Sequence, residues 1–529
     1  MRTWLVLWFL GCSLAAEAHV GSPNVVFEGH ASAYPVRVII RPPQVVPGLA
    51  EIAVRAQGPV RRITVLPVFG KAGREGSPSP DEARPVPGET NLYAAQLWLM
   101  KSGAYSVDVT VEHPEGTGTL VVPVNSTATN TKAMSSIHVA VLSVLGGVLF
   151  LSAVGIAGAV FGQCQVPAGT TPTRKDLWRG RAAMALSALA LALLLLGGKK
   201  WWDVEDRHYR NNVLYKPSPL SATVHSDHQQ WLLTLGVDTA VRRGGWIPLI
   251  PDHGKLMHLF LVSHQQPGSF AHLHPKLRGE AQFDVPLPPL PAGAYHAYAD
   301  VTHEDGFAET LVGSVQIPPP SDAMRRLWLA NAAEPVCSTA VSERLATNLF
   351  YAPDPDDSWQ VDSRGSSSSR TGRAGSQIAT VAGGYQVLFE PSRPLLANVD
   401  DDLRFKLLTP AGNLALIEPY MGMLGHAVIR RADGAVFAHL HPSGTISMAA
   451  HEFFLSGKPV SVNVSGSQMS TPALESHSRH VNAAAGPGEI AFPYAFPKAG
   501  NYRLWVQMRS EGQIFTAAFD VEVGGSGRP

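Results

Sequence analysis

Six histidines in this chain have the spacing of metal ligands. His258, His272 and His274 recur as His426, His439 and His441, a lone histidine followed by an H-x-H pair in both cases. Neutral imidazole is a ligand for copper, zinc or nickel. In a strand, residues two apart share a face, so each H-x-H pair presents both rings to one side. Ala432-Asp433-Gly434-Ala435 carries the Asp-Gly signal of a two-residue hairpin turn. Pairing Ala432 with Ala435 sets His426 opposite His441, with His439 on the same face. Opposed Cβ atoms lie about 5 Å apart and diagonal ones about 7–8 Å, close enough for three rings to reach one ion at about 2.0–2.1 Å. In the earlier copy a loop one residue longer, around Gln265-Gln266-Pro267, sets His258 opposite His274. Met257 precedes His258, and Met423 lies just before His426. Thioethers favour Cu(I), which makes copper the first choice of metal and zinc the second.

Alternative readings weigh against this one. A single strand histidine is usually structural, and the repeated triads can preserve an inherited polar cluster. The methionines equally suit a core. His225 and His228 (HSDH), and His296 and His303, whose counterparts are Arg503 and Ser510, are expected in solvated positions. His19 chelates copper through its amine and ring if cleavage after Ala18 makes it the N-terminus and His30 or His113 assists.

The elements that must position these residues read as strands. LMHLFLV…GSFAHLHP at 256–275 matches LGHAVIR…GAVFAHLHP at 424–442, and FDVPLPPLPAGAYHAYADV at 283–301 matches IAFPYAFPKAGNYRLWVQM at 490–508. Residues 216–318 and 376–524 are therefore read as one β-sandwich module used twice, the later copy carrying an insertion. Residues 319–375, with the RGSSSSRTGRAG stretch, read as a linker. Residues 19–128 alternate apolar and polar and end in Gly103-Ala104-Tyr105 before a long alternating strand, an Ig-like signature. The expected fold class is mainly β: three Ig-like β-sandwich domains plus a two-helix transmembrane hairpin.

Residues 1–18 read as a signal peptide ending in Ala16-Glu17-Ala18; a lipoprotein box at Cys12 is the competing reading. Residues 139–161 and 182–198 carry no charge and are long enough to cross a bilayer. Trp201 and Trp202 suit the interface, and Lys199 and Lys200 can snorkel. The loop 162–181 holds Arg174, Lys175, Arg179 and Arg181 against Asp176, so it is expected to be cytoplasmic, with both flanking regions on the periplasmic or extracellular side of the cell (inner) membrane. Ala153/Ala157 and Gly155/Ala159 are small pairs that allow close helix packing. No Asp, Glu, Lys or Arg lies within either span, which speaks against ion transport. With 42 basic and 42 acidic residues, no nucleic-acid partner is expected. Of three cysteines, Cys12 is in the leader and Cys164 in the loop, leaving Cys337 alone outside, with no intramolecular disulfide.

Gly425-His426, Phe437-Ala438-His439-Leu440-His441-Pro442 and Gly500-Asn501-Tyr502 resemble a pattern of bacterial periplasmic heavy-metal (copper)-associated β-sandwich proteins. The first region, through His19-Val20 and the Gly103–Val111 strand, is similar to Ig-like accessory domains of copper resistance and cytochrome-oxidase assembly. The resemblance implies metal handling, with a periplasmic metal-handling or oxidase-assembly protein as partner, and names no reaction. No carboxylate follows His274 or His441 at the spacing a cupin needs, and there is no G-x-S-x-G, HExxH or Cys/His nucleophile pairing. Binding is thus expected over catalysis. A His-ligated oxidase or hydrolase, and a metal-free surface scaffold of Ig-like modules, are the alternatives.

Overall fold

The computed structural model describes residues 24–131, 134–164, 166–167, 169–227, 230–239, 245–265, 268–331, 352–361, 369–370, 375–456 and 486–525. The leader with Cys12, His19, His228, Cys337 and most of the Ser/Gly/Arg-rich stretch lie outside them. The described chain is mainly β, with several sheets and two long apolar helices. It divides into two compact units, Thr127–Tyr215 and the remainder.

The smaller unit is a helical hairpin. Helix α1 spans Ser136–Gln163 and α2 spans Arg174–Asn212, both long and apolar enough to cross a membrane. Within the stretch 162–181 between the two uncharged windows, residues 174–181 form the first turns of α2. The Thr173 side chain accepts from the Asp176 N–H while the Asp176 carboxylate accepts from the Thr173 N–H, a capping box that nucleates the helix eight residues before the apolar span. Val154, Gly158 and Gly162 are the buried residues of α1; of the small pairs singled out in the sequence, Ala157 is half-buried and Ala153, Gly155 and Ala159 are exposed. A Cβ on Gly162 would meet Gly180 Cα at 3.2 Å, so these two glycines set the helix separation.

In the larger unit, the first β region has two sheets. One runs through Val25–Ala31, Tyr34–Arg41, Gly48–Ala56 and Leu92–Leu99, the other through Arg62–Phe69, Gly103–His113 and Gly116–Ser126. Val38, Ile40, Ile52 and Val54 meet Val65, Val107, Val109 and Val122 in a shared core. The Gly-x-Tyr sites have one geometry throughout. Gly103, Gly293 and Gly500 take φ of +139°, +147° and +135°. The following tyrosines turn back onto the residue four before them: Tyr105 Oη accepts from the Lys101 N–H, while Tyr295 and Tyr502 donate to the carbonyls of Pro291 and Lys498.

The second and third regions supply the site. In the second, β1 (His258–Ser263) pairs with β2 (Phe270–Leu273) and β3 (Gly293–His303), all within one continuous ten-stranded sheet. Residues 319–375 are not wholly linker: β4 (Ser358–Gln360) adds to the free edge of β2. In the third, β5 (Gly425–Arg431) pairs with β6 (Phe437–Leu440) and β7 (Gly500–Ser510). Both hairpins have the predicted register, with Phe260 opposite His272 and Val428 opposite His439. Alternate residues split between two environments. Leu259 and Leu261, or Ala427 and Ile429, fill their own region's core. Phe260, Val262 and Phe270 instead pack on Val428, Phe437 and Trp505 of the other region. These strands are buried on both faces, which is why HLFLVS lacks alternation.

The first region docks on the third. The Glu28 N–H donates to Ser443 O at 2.7 Å, the Thr445 N–H donates to Val26 O at 2.9 Å, and Arg37 pairs with Asp400 at 3.5 Å and with Asp402. Gly444, at φ +125°, allows this approach, since an added Cβ would lie 1.9 Å from Val26 O. Gly444→Ala is expected to destabilise the docked chain by about 1–3 kcal/mol. Thermal unfolding and limited proteolysis of the full chain will check this; an unchanged midpoint and cleavage pattern would refute the docking.

Candidate metal centre

Each triad has the same construction. The first histidine stands on the strand that leads out of a tight turn, Asp252–Lys255 or Tyr420–Met423, and the H-x-H pair lies on or just beyond the adjacent strand. The three candidate ligand atoms of each triad lie within 4.8 Å of one another. His258 Nδ1 is 3.1 Å from His272 Nε2, and His426 Nδ1 is 3.2 Å from His439 Nε2. A tetrahedral ion at about 2.05 Å from each nitrogen needs an N···N separation of about 3.3 Å.

The outer hydrogen bonds decide which nitrogen faces inward. His258 Nε2 lies 3.2 Å from Asp252 O, and His426 Nε2 lies 3.2 Å from Tyr420 O. A carbonyl only accepts, so each ring donates there and leaves Nδ1 bare. His272 Nδ1 donates to Gln507 Oε1 at 2.9 Å, while the Gln507 amide N–H groups go to Ser358 and Thr516. His439 Nδ1 is 3.5 Å from Asp300 Oδ2. His274 Nδ1 donates to Asp357 Oδ1 at 2.9 Å and His441 Nδ1 to Ile446 O at 3.2 Å. The Nε2 atoms of His274 and His441 are then buried without a hydrogen-bond partner. In the second region two bare lone pairs face each other at 3.1 Å with a third bare nitrogen beside them, a donor set for a cation; in the third region His426 Nδ1 and His439 Nε2 stand at the same spacing, 3.2 Å.

Burial keeps the rings neutral, the form that binds metal. It lowers His258, His272, His426 and His439 well below the usual imidazole range, and His274 and His441 to about 4. Burial also pushes Asp300 up to about 7, and it raises Asp357 well above the carboxylate range, against the His274 and Asp354 backbone N–H bonds that favour its charge. Asp354 completes a further cluster with His274 and Asp357. Its carboxylate is already bound by Lys255 at 2.5 Å, so these acids orient His274 rather than form a separate site.

The two triads are neighbours. Ring centroids of His258 and His439 are 5.4 Å apart and those of His272 and His439 5.7 Å, against 4.6–5.4 Å within a triad. A pseudo-two-fold relates them. Asp300 and Gln507 hold equivalent positions, opposite His258 and His426 on β3 and β7; Gln507 accepts from His272 of the other region, and Asp300 lies 3.5 Å from His439 of the other region. The aromatic stacks alongside obey the same symmetry: Phe270 on Trp505 at 4.9 Å and Phe437 on Tyr298 at 4.1 Å.

Other expected residues fall elsewhere. Met257 faces the second region's core, its strand neighbour His258 having taken the site face; Met423 is buried at the end of the Tyr420 turn. His225 is exposed, as expected, whereas His303 is buried, bonded to Ile247 O and Glu309, and His296 is half-buried against His264. Four residues beside the triads escaped the sequence reading. His253 is the first: Asp252-His253-Gly254-Lys255 occupies the place of Tyr420-Met421-Gly422-Met423, and both turns carry a positive-φ residue followed by a positive-φ glycine. The others are the pair Asp300/Gln507, discoverable from the strand register, and Asp357, in a turn-rich stretch ending at the buried Trp359.

A family model described as a domain of unknown function, DUF8832, matches residues 379–525. No curated protein matches the chain. Solved structures similar to it include a tetra-tandem repeat in the extending region of a large adhesion protein (7% identity, 90% of this chain and 71% of that one, TM-score 0.15). Others are a Salmonella alpha-2-macroglobulin reacted with methylamine (9%, 95% and 23%, 0.18) and a putative membrane anchored protein from Corynebacterium diphtheriae (8%, 96% and 97%, 0.14). Scores this low carry no argument about fold or function.

The stacked aromatics hold the two triads together. Trp505→Ala is expected to lower stability by about 3–5 kcal/mol, and Trp505→Phe by clearly less. Urea unfolding of the metal-free full chain measures both; equal, negligible losses would show that this face is not packed.

Proposed function

We propose that the chain is a membrane-anchored, extracytoplasmic metal-binding protein that sequesters or delivers copper through its histidine triads. The observation that carries this reading is the pair of triads of neutral imidazoles, in which five outer nitrogens donate to fixed acceptors and the sixth, His439 Nδ1, lies 3.5 Å from Asp300. A metal-free polar cluster would gain nothing from opposing two lone pairs. The triad donors are all nitrogen, so the affinity order of divalent ions rather than methionine softness favours copper, with zinc second. The leader at 1–18 and the basic residues between the apolar spans support an anchor with both β-rich flanks outside the cytoplasm, at the inner membrane. A periplasmic metal-handling or oxidase-assembly protein is the corresponding partner.

Detergent-solubilised full chain, loaded with Cu(II) or Zn(II) and freed of loose metal, should retain about one ion per triad by elemental analysis. The triple variant His426→Ala, His439→Ala, His441→Ala should lose at least one of these. Unaltered copper and zinc binding would sink the proposal. Gln507→Leu leaves the His272 Nδ1 proton without its acceptor, and metal affinity should fall about 10–100-fold in a chelator competition.

A further inference from the structure

The first region has two unlike ends. Gly103 pairs with Ser126 and Gly48 with Leu99, so the loops 42–47 and 100–102 stand at the end from which the chain leaves for α1. The opposite end, around the turn between His113 and Gly116, exposes Gln57, Arg61, Glu89 and Glu115. At the exit end, residues 42–50 (PPQVVPGLA) carry no charge, and Lys101 is the one charge in 97–107. Large apolar side chains are bare there. Trp98 is 58% exposed, Met100 60% and Leu49 41%, and Leu49 is the cross-strand partner of Trp98. Docking on the third region covers Val26, Ile39 and Ala53 of the same sheet face against Ala495 and leaves Leu49 and Trp98 uncovered. The shared fold does not demand this exposure. Counted back from the Gly-x-Tyr of each region, Leu290 stands where Met100 does, and it is buried.

We infer that Leu49, Trp98 and Met100 seat the exit end of the first region in the interfacial zone of a phospholipid bilayer. The inference rests on the anchoring reading above. Three observations favour lipid over a protein partner. The chain passes from Ser126 to Ser136, the start of α1, through residues 127–135 alone, so by chain length a bilayer entered by α1 begins within about 35 Å of this end. An indole with a neighbouring ammonium and no acid suits the headgroup boundary, where the ring is amphipathic and the cation meets phosphate; the same pairing stands at Lys199-Lys200-Trp201-Trp202, beyond the second uncharged window. Three side chains at the tip of a sandwich are few for a stable protein interface. A tethered region needs little added affinity, because its bilayer is held at high effective concentration.

The test uses the full chain in phospholipid nanodiscs. In a chain carrying Cys12→Ser, Cys164→Ser and Cys337→Ser, a spin label is attached at Met100→Cys or, on the polar end, at Glu89→Cys. Collision with oxygen, which concentrates in lipid, is compared with collision with a water-soluble chromium complex. The oxygen-to-chromium ratio should be several-fold higher at 100 than at 89. Adding Trp98→Ser to the Met100→Cys chain should bring the ratio at 100 toward that at 89 while the metal-free melting point stays that of the parent. Equal ratios at the two positions, or a ratio at 100 indifferent to Trp98→Ser, would overturn the seat and leave the anchor standing. A label at 100 shielded from both reagents would mean a protein cover, such as a second copy of the chain, and would overturn lipid contact. A full chain that stays soluble and monodisperse without detergent or lipid would overturn the anchor and the seat together.

Discussion

A neutral imidazole has one proton to give, and the acceptor that takes it determines which nitrogen is left for an ion. At this centre the acceptors are built into the fold. Two are backbone carbonyls of the turns before β1 and β5, one is the Ile446 carbonyl, and the rest are the side chains of Gln507, Asp300 and Asp357. Burial removes water as a competing partner and keeps the rings uncharged. The arrangement is costly if the inner lone pairs face only one another, and it is satisfied by a cation.

The acceptors are exchanged between the repeats. Gln507 of the third region orients His272 of the second, and Asp300 of the second lies against His439 of the third. Each region supplies all three rings of its triad, but the acceptor of His272 comes from the other region. Docking of the two faces is therefore part of the site, and the aromatic stacks of Phe270 on Trp505 and Phe437 on Tyr298 fix that docking to the same pseudo-axis. An ion bound here stabilises the interface by mass action, because separated regions lose the oriented ligands. The residues that break the symmetry, His253 against Met421 and Asp300 against Gln507, are where the two halves acquire different chemistry.

The helical unit contributes no such chemistry. Its seam is made of glycines, Gly158 and Gly162 against Gly180, and it carries no charged residue in the apolar windows of 139–161 or 182–198. Its role in the proposed function is to hold the β unit at a bilayer.

Much of this was legible along the chain. Period-two spacing placed each H-x-H pair on one face, and the Asp433-Gly434 turn set the β5–β6 register, because hairpin pairing depends only on nearby residues. The repeat singled out the six histidines of the two triads. Three things needed the tertiary structure. The triads read as two sites, yet they abut, because β1 and β5 bury both faces and a doubly apolar strand does not announce what covers it. The segment at 358–360 read as linker, yet it pairs with β2 and brings in Asp357, a contact across 83 residues that no local pattern encodes. His253 carries no motif that singles it out in the sequence; only the docking of the two turns brings its ring beside the other region's triad. Sequence by itself determined which side chains can bind an ion and on which strand face they lie, since both follow from local geometry. Their adjacency was decided by the face-to-face packing of the two repeats, which rests on long-range burial and on the Gln507 acceptor contributed from the opposite side.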